Sequence, residues 1–247
     1  MEHLLEGKKL NKTFVTKGKE TQALSNVSFY LDEGEILGIV GESGSGKSTL
    51  LNVVSGLIKA DSGELFYGEE NYTGKGPAHT GKFLRMIFQD AKSSFDPRMT
   101  MEKSLLESRR GKQDRGELSE LIKAVGLEEK LLSRKVSDMS GGQCQRMSIA
   151  RALYSEVGIL LCDEITSAVD VSSQKQVVEL LKKLNESRKL SCIFVSHDIA
   201  LVSMLCGRIM IMKDGCCVEE GATSTVISDP QNEYTKLLVE SARKQSF

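Results

Sequence analysis

Residues 41–49 have the types and the spacing of a loop that binds phosphate groups. They fit the pattern G-x-x-x-x-G-K-[ST], in which glycines let consecutive backbone N–H groups turn inward around an anion. The start of the following helix adds a partial positive charge. Lys47 would reach the β- and γ-phosphates of a nucleotide, and the Ser48 hydroxyl would ligate Mg²⁺. The residues of this phosphate loop are Gly41, Glu42, Ser43, Gly44, Ser45, Gly46, Lys47, Ser48 and Thr49.

A carboxylate pair, Asp163 and Glu164, follows the apolar run of residues 157–162. The carboxyl end of a buried parallel strand is where such sheets bind ligands. Asp163 is suited to hold Mg²⁺ through water, and Glu164 to orient or deprotonate an attacking water molecule. The alternative is an acidic turn after a core strand, and the upstream phosphate loop favours the catalytic interpretation.

A second candidate anion site lies at the start of a predicted helix that runs through Ala150. Its glycines free the backbone, and the helix N-terminus carries a partial positive charge. By itself the segment could equally be a capped helix start. Its residues are Ser140, Gly141, Gly142 and Gln143.

The elements around these residues follow from the apolar pattern. An apolar run over 35–40 precedes the phosphate loop and a helical pattern follows it, which predicts strand, loop and helix. Strands are also predicted over 157–162 and 192–195, with an amphipathic helix between them. That alternation is typical of a parallel sheet with helices packed on it.

The flanking regions differ in character. Residues before Glu35 alternate as antiparallel strands do, and residues 90–153 have helical spacing. Asp214-Gly215 predicts a hairpin, and 233–244 a C-terminal helix. The Gly-rich and polar stretch 71–82 predicts a surface loop.

Size and charge limit the kinds of protein that this chain could be. The 247 residues suffice for one large or two small domains. The 33 basic and 34 acidic side chains leave no basic excess, so we expect no nucleic-acid partner. The sequence has no apolar run of about 18 residues and no signal peptide, which predicts a protein that stays in the cytosol.

The six cysteines include no C-x-x-C pair, and only Cys216 and Cys217 are close in sequence. We expect buried free thiols and no metal site at these residues.

With the phosphate loop, the carboxylate pair and residues 139–143 in fixed order, the sequence resembles the ABC ATPase family. The family signature is Leu-Ser-Gly-Gly-Gln, here Met-Ser-Gly-Gly-Gln. The resemblance covers nearly the whole chain and implies one ABC ATPase domain over 1–247, an α/β P-loop NTPase with a mainly parallel core. Residues 1–89 would hold an antiparallel β subdomain and the first part of the core. Residues 90–153 would form an inserted helical subdomain, and 154–247 the rest of the core and the C-terminal helix.

The resemblance assigns further site residues. Gln89 matches the glutamine that contacts metal and water and connects to the transmembrane partner. Asp170, in the segment 167–170, matches the loop that crosses between subunits. His197 matches the switch histidine that contacts the γ-phosphate. The implied magnesium ligands are thus Ser48, Gln89 and Asp163.

Phe14 lies where the family places an aromatic ring against adenine. Base–aromatic stacking is worth about 1–3 kcal/mol. Phe29 or Tyr30 could stack on the adenine instead.

The sequence also departs from the family. Met139 replaces the usual leucine of the signature, and Ile165 replaces the usual proline after the catalytic glutamate. Because both replacements are apolar and neither removes a reacting group, we expect activity to survive.

The implied mechanism needs a second ATPase subunit, either this chain or a paralogue. Two domains associate head to tail, so ATP with Mg²⁺ is enclosed between Lys47 of one subunit and Ser140 and Gly142 of the other. Water attacks the γ-phosphate in line. Dimer closure and reopening then drive two permease subunits, at the cytoplasmic face of the membrane.

Two segments, 93–100 and 229–238, resemble the oligopeptide, dipeptide and nickel importer branch. That branch also works with an extracytoplasmic substrate-binding protein. The second segment has Asn232-Glu233 before Tyr234-Thr235, where the branch usually has His-Pro. Some members carry a cysteine-bearing C-terminal extension that is missing here, so no iron–sulfur cluster is expected. The alternatives are an exporter ATPase, or a soluble ABC ATPase that acts on nucleic acid or ribosomes.

Overall fold

A computed structural model of the chain describes residues 3–109, 111, 113–167 and 170–245. In this part of the chain, strands form two sheets and helices surround them. The strands are β1 (Leu5–Thr16), β2 (Lys19–Leu31), β3 (Ile36–Val40), β4 (Ser62–Tyr67), β5 (Glu70–Asn71), β6 (Leu84–Ile87), β7 (Ile159–Asp163), β8 (Ser191–Ser196), β9 (Arg208–Lys213) and β10 (Cys216–Ala222). The helices are α1 (Lys47–Val54), α2 (Pro77–Thr80), α3 (Met101–Ser108), α4 (Arg115–Ala124), α5 (Gly141–Tyr154), α6 (Val171–Arg188), α7 (Ile199–Leu205), α8 (Thr223–Ser228) and α9 (Glu233–Gln245).

The first sheet is antiparallel and has the order β2-β1-β4-β5. Val27, Phe29 and Leu31 of β2 are buried and alternate with more exposed neighbours. This alternation is what a sheet with one covered face requires. The antiparallel strands predicted before Glu35 are therefore confirmed, and β4 joins them from the other side of the phosphate loop.

The second sheet has the order β10-β9-β3-β8-β7-β6. Every pair is parallel except β9 with β10, which form the predicted hairpin. Alternate side chains of the central strands face two hydrophobic clusters: Val40 and Phe194 lie in one, Ile39 and Val195 in the other. Because both faces are covered, these strands are continuous apolar runs in the sequence. The predicted mainly parallel core is confirmed.

Between β6 and β7 the chain is helical, as predicted. The side chain of Asp114 caps α4 by accepting hydrogen bonds from Gly116 N and Glu117 N. Leu118 of α4 and Tyr154 of α5 belong to the same hydrophobic cluster as the sheet residues Leu160 and Phe194. The helical stretch therefore shares its core with the larger sheet.

Most of stretch 71–82 is exposed, as predicted, but it contains the short helix α2 and two buried side chains. Tyr72 is fully buried, and its hydroxyl donates to Val54 O over 3.3 Å. The hydroxyl of buried Thr80, in α2, donates to Ser55 O over 2.6 Å. The sequence pattern did not show that these two side chains anchor the stretch, because glycines and polar residues surround them.

The cysteine prediction is right for four residues, since Cys144, Cys162, Cys192 and Cys206 are free and buried. Cys216 and Cys217 are only partly buried. They lie on β10, an edge strand with one neighbour, which leaves them partly open to solvent.

No helix of the described residues is long and apolar enough to cross a membrane.

Candidate functional site

The phosphate loop connects the end of β3 to the start of α1. Gly46 caps α1 with φ at 101°, and a Cβ there would lie 2.4 Å from Ala23 O. Gly44 also has a left-handed backbone, with φ at 84°. Glycine is therefore needed at Gly46 for both backbone conformation and space, which explains the spacing of the motif.

Lys47 lies inside the curve of this loop. Its Nζ donates to Gly41 O over 2.7 Å and to Glu42 O over 2.8 Å. The side chain is almost fully buried, and burial lowers the pKa of Lys47, although Glu164 and Asp163 oppose this shift. The ammonium group is thus held at the loop by carbonyl oxygens and carboxylates, ready to exchange them for phosphate oxygens.

The carboxylate pair lies at the carboxyl end of β7, beside the loop. Ser48 Oγ donates to Asp163 Oδ1 over 2.9 Å. Burial raises the pKa of Asp163, and the Ser48 hydrogen bond opposes this shift. Two of the three predicted magnesium ligands, Ser48 and Asp163, are therefore neighbours, although 115 positions separate them in the sequence.

Glu164 has a left-handed backbone, with φ at 47°. Its N–H donates to Val195 O over 3.1 Å, so the adjacent strand β8 holds it in register. Non-glycine residues adopt this conformation at a cost, and such residues cluster at functional sites. The bend turns the Glu164 side chain toward the loop, where Oε1 lies 3.7 Å from Lys47 Nζ.

His197 and Gln89 approach the same glutamate from other strand ends. His197 Nδ1 lies 3.6 Å from the second carboxylate oxygen of Glu164. Gln89 Nε2 donates to Ser167 Oγ over 3.0 Å, and Ser167 Oγ donates to Glu164 O over 2.8 Å. The structure therefore gathers Lys47, His197 and, through Ser167, Gln89 around Glu164.

A cleft of about 330 Å³ lies over the phosphate loop. Gln89 and Glu164 line it, and so do Thr21, Gln22 and Ala23 of β2, which the sequence analysis missed. No motif marks these three residues, because they reach the cleft only through the packing of the first sheet on the second.

Phe14 is next to this cleft, since it pairs with Thr21 across β1 and β2. It is 36% exposed, whereas Phe29 is buried at 3%. The ring of Tyr30 stacks on His3 at 4.0 Å and under the Arg208 guanidinium at 3.7 Å. Phe14 is the most exposed of the three candidate aromatic residues, and Lys12 Nζ lies 5.6 Å from the centre of its ring.

The signature residues form a separate cluster. Ser140 caps α5 in a capping box, with Ser140 N donating to Gln143 Oε1 and Gln143 N to Ser140 Oγ. A Cβ on Gly142 would lie 3.2 Å from Ser173 Oγ, which donates to Asp170 Oδ2 over 2.8 Å. Ala168 and Val169, between Ser167 and Asp170, fall outside the described residues.

This signature cluster (residues 140–143 with Asp170) does not line the cleft over the phosphate loop. Within the described ranges, no hydrogen bond or ion pair joins residues 140–143 to residues 41–49. The candidate site is therefore in two parts on one chain.

The donor set beside the loop suits magnesium. Ser48, Asp163 and Gln89 offer hydroxyl, carboxylate and amide oxygens, the hard ligands that Mg²⁺ prefers. Among the described side chains, no group of three or more His, Cys, Asp and Glu could hold a metal ion. Sites that bind Mg²⁺ through one carboxylate complete the shell with nucleotide phosphate oxygens and water.

The two departures from the family pattern are both buried. Met139 is 4% exposed and Ile165 is fully buried. An apolar side chain fits each place, and neither points a reacting group into the cleft.

Comparison with known proteins agrees with this geometry. A family model described as ABC transporter matches residues 24–167. The oligopeptide transport ATP-binding protein OppF of Haemophilus influenzae is 41% identical over 236 residues, which are 92% of this chain and 71% of that protein. A methionine import ATP-binding protein of Enterococcus faecalis is 37% identical over 97% of this chain and 68% of its own length.

Among solved structures, a dimeric ATP-binding cassette in a post-hydrolysis state, bound to ADP and Pi, has a TM-score of 0.79 and 32% identity. The match covers 89% of this chain and 98% of that one. In sequence and fold, this chain belongs to the ATP-binding cassettes of the ABC transporter family.

Proposed function

We propose that this chain is the ATP-hydrolysing subunit of a peptide importer and that its whole length, residues 1–247, works as one ATPase domain. One observation carries the proposal: the Glu164 carboxylate lies 3.7 Å from Lys47 Nζ and 3.6 Å from His197 Nδ1, beside a phosphate loop. A carboxylate that can act as a base, a cation and an imidazole are therefore close together beside the phosphate loop. These are the groups that transfer of a phosphoryl group to water would need.

In this proposal Glu164 orients the attacking water and accepts its proton. Lys47 leaves the carbonyl oxygens of Gly41 and Glu42 and neutralises charge on the β- and γ-phosphates. His197 contacts the γ-phosphate, and Gln89 holds the water in place through its link to Ser167 and Glu164. Phe14 stacks on the adenine.

Ser48, Asp163 and Gln89 would hold the magnesium ion, in keeping with their oxygen donors and with the Ser48–Asp163 contact. When bound, the ion would neutralise phosphate charge during transfer of the γ-phosphoryl group. The protein's own part is to keep Asp163 beside the loop, which β7 does by ending there.

The site is complete only in a dimer. The signature cluster is apart from the cleft on its own chain, so a second subunit, either a copy or a paralogue, supplies Ser140, Gly141, Gly142 and Gln143 to the phosphates. The free N–H groups at the start of α5 then face the γ-phosphate. The dimeric cassette described above supports this arrangement.

Coupling to the permease subunits involves the segment 93–100. A cleft of about 390 Å³, lined by Ser94, Asp96, Arg151 and residues of β6, lies beside this segment and extends to Phe88, the neighbour of Gln89 in sequence. A permease element seated there would sense the state of Gln89. The protein would then act at the cytoplasmic face of the membrane, together with two permeases and an extracytoplasmic binding protein.

The relatives favour import. They are named for oligopeptide transport and methionine import, which supports a peptide-like cargo more than a nickel chelate, and import over export. The net charge of −1 argues against an ATPase that acts on nucleic acid or ribosomes.

The test is reconstitution with two permease subunits in lipid vesicles. We expect ATP hydrolysis to rise when a peptide-loaded binding protein is added outside, and to fall when Mg²⁺ is chelated. Hydrolysis indifferent to both the permeases and the loaded binding protein would refute the importer assignment. A response to methionine-loaded but not peptide-loaded binding protein would refute the peptide cargo alone.

A further inference from the structure

The side chain of Tyr234, in the C-terminal helix α9, contacts the phosphate loop. The backbone N–H of Glu42 donates to Tyr234 Oη over 2.9 Å, across 192 positions of sequence. Tyr234 is 93% buried, so solvent does not compete for this hydrogen bond. Burial also raises the pKa of Tyr234, and the Glu42 hydrogen bond opposes this shift. The phenol therefore stays neutral at physiological pH.

Tyr234 and Lys47 form hydrogen bonds to the same peptide group. Glu42 N–H and Gly41 C=O belong to a single planar peptide, whose two polar ends point in opposite directions. Gly41 O accepts from Lys47 Nζ over 2.7 Å, while Glu42 N donates to Tyr234. Tyr234 therefore binds the N–H end of this peptide group, and Lys47 binds its C=O end. Together the two contacts fix the orientation of the peptide plane.

The position of Tyr234 is itself well determined. The Glu219 carboxylate accepts hydrogen bonds from Gln231 N over 2.8 Å and Asn232 N over 3.0 Å. Asn232 Oδ1 then accepts from Tyr234 N over 2.9 Å. Lys213 Nζ lies 5.0 Å from the centre of the Tyr234 ring. The start of α9 is therefore anchored to the β9–β10 hairpin, which also contacts the loop through Gly215 N and Ser45 O.

We propose that Tyr234 is a positioning residue for nucleotide binding. By holding the Gly41–Glu42 peptide it keeps the first turn of the phosphate loop in the shape that receives phosphates. Without this bond the peptide rotates more freely, and ATP binding must restore its orientation. This inference rests on the proposed role of residues 41–49 as the phosphate loop. It assigns to the segment 229–238, which contains Tyr234, a structural role within this chain.

The test is Tyr234→Phe in the full chain, which keeps the buried ring and removes one oxygen. Tyr154→Phe is the matched control, because Tyr154 Oη accepts from Asp114 N over the same 2.9 Å and lies away from the loop. Titration with ATP should give a dissociation constant about 2- to 10-fold higher for Tyr234→Phe, as expected for one lost hydrogen bond. Turnover at saturating ATP should change less. Tyr154→Phe should bind ATP like the wild type.

A second measurement reports on the bond directly. The Glu42 amide should exchange with solvent faster in Tyr234→Phe than in the wild type or in Tyr154→Phe. Unchanged exchange, or ATP affinity equal to that of the wild type, would overturn the inference. Lys47→Ala separates the two proposals: if that variant bound ATP normally, the phosphate loop assignment would fail, whereas a failure of Tyr234→Phe alone leaves it standing.

Discussion

Glu164 combines an unfavourable backbone with a favourable position. Its φ of 47° is left-handed, a conformation that costs about 1 kcal/mol or more for a residue with a side chain. The bond from Glu164 N to Val195 O and the contacts of its carboxylate with Lys47 and His197 maintain it. Glu156 and Lys189 have similar left-handed backbones. The position of the Glu164 carboxylate beside Lys47 and His197, rather than its backbone, therefore favours a catalytic role.

Glu164→Gln should leave ATP binding intact and lower turnover by about 10²- to 10⁴-fold, because the water loses its base while the phosphate contacts remain. The variant should accumulate as a nucleotide-bound dimer, visible by size-exclusion chromatography with ATP. Glu156→Gln is the control, since Glu156 also has a left-handed backbone, with φ at 57°, but pairs with Arg109 outside the cleft. Near-normal turnover in Glu164→Gln would contradict the assignment.

At the scale of elements, α5 carries the signature residues at its start and Arg151 near its end. Arg151 Nη1 and Nη2 donate to Ser94 O over 2.7 Å and to Ser94 Oγ over 2.9 Å. Its guanidinium also lies 4.1 Å from the centre of the Phe95 ring. One helix thus links the signature cluster to the segment proposed to meet the permease.

Arg151→Lys should weaken this link, because lysine cannot donate to both Ser94 oxygens from a planar fork and stack on Phe95. We expect ATP affinity of the isolated subunit to be unchanged and the stimulation of ATP hydrolysis by the permease complex to fall severalfold. Arg134→Lys is a suitable control, since Arg134 is exposed and donates to Asp138 O. Full stimulation in Arg151→Lys would argue against coupling through Ser94.

The anchoring of α9 should depend on pH. Burial favours a raised pKa for Glu219, but the backbone N–H groups of Gln231 and Asn232, the Thr235 side chain and the charge of Lys236 together outweigh it and hold the pKa below its ordinary value. A lowered folded-state pKa contributes stability above the unfolded-state value of about 4.3, and this stability is lost as pH falls through the folded-state value. Glu219→Gln does not titrate.

Lowering the pH from about 7 to about 3, well below the unfolded-state pKa, should therefore reduce the Tm of the wild type more than that of Glu219→Gln. Scanning calorimetry at both pH values measures the difference. Glu240→Gln, at an exposed position of α9, should behave like the wild type. An equal fall of Tm in wild type and Glu219→Gln would mean that this carboxylate does not anchor the helix.

At the scale of the whole molecule, the two halves of the candidate site do not meet. The cleft contains Lys47 and Glu164, whereas Gly142 lies beside Ser173, whose hydroxyl donates to Asp170 Oδ2. The common core of the helical stretch and the larger sheet opposes a simple folding of one half onto the other. A second subunit is the direct way to bring them together.

Two inactive variants should therefore complement each other. Lys47→Ala removes the phosphate contact, and Gly142→Glu brings a negative charge to the phosphates, with only the movable Ser173 hydroxyl close to its Cβ. In an equal mixture, half of the dimers contain one subunit of each variant. Each of these dimers has one intact site and one inactive site. Activity should therefore recover to about a quarter of that of the wild type. No recovery on mixing would indicate that each site is built within one chain.

Local patterns were sufficient for much of this protein. The strand, loop and helix around residues 41–49, the carboxylate pair after β7, the β9–β10 hairpin and the helical stretch were all predicted. Each depends on residue periodicity, on glycine backbone freedom or on turn residues, which are properties of neighbours in sequence. The prediction for 71–82 missed the burial of Tyr72, because that burial depends on distant partners.

By itself, the sequence determined the family and the fold class, and it named candidate residues for a phosphate site. Only the tertiary structure decided that β4 joins β1, that Thr21 to Ala23 line the cleft, that the signature cluster lies apart from it, and that Tyr234 holds Glu42. The physical reason is that such contacts join residues far apart in the chain. Their free energy comes from packing and desolvation in the folded molecule, which no local pattern encodes.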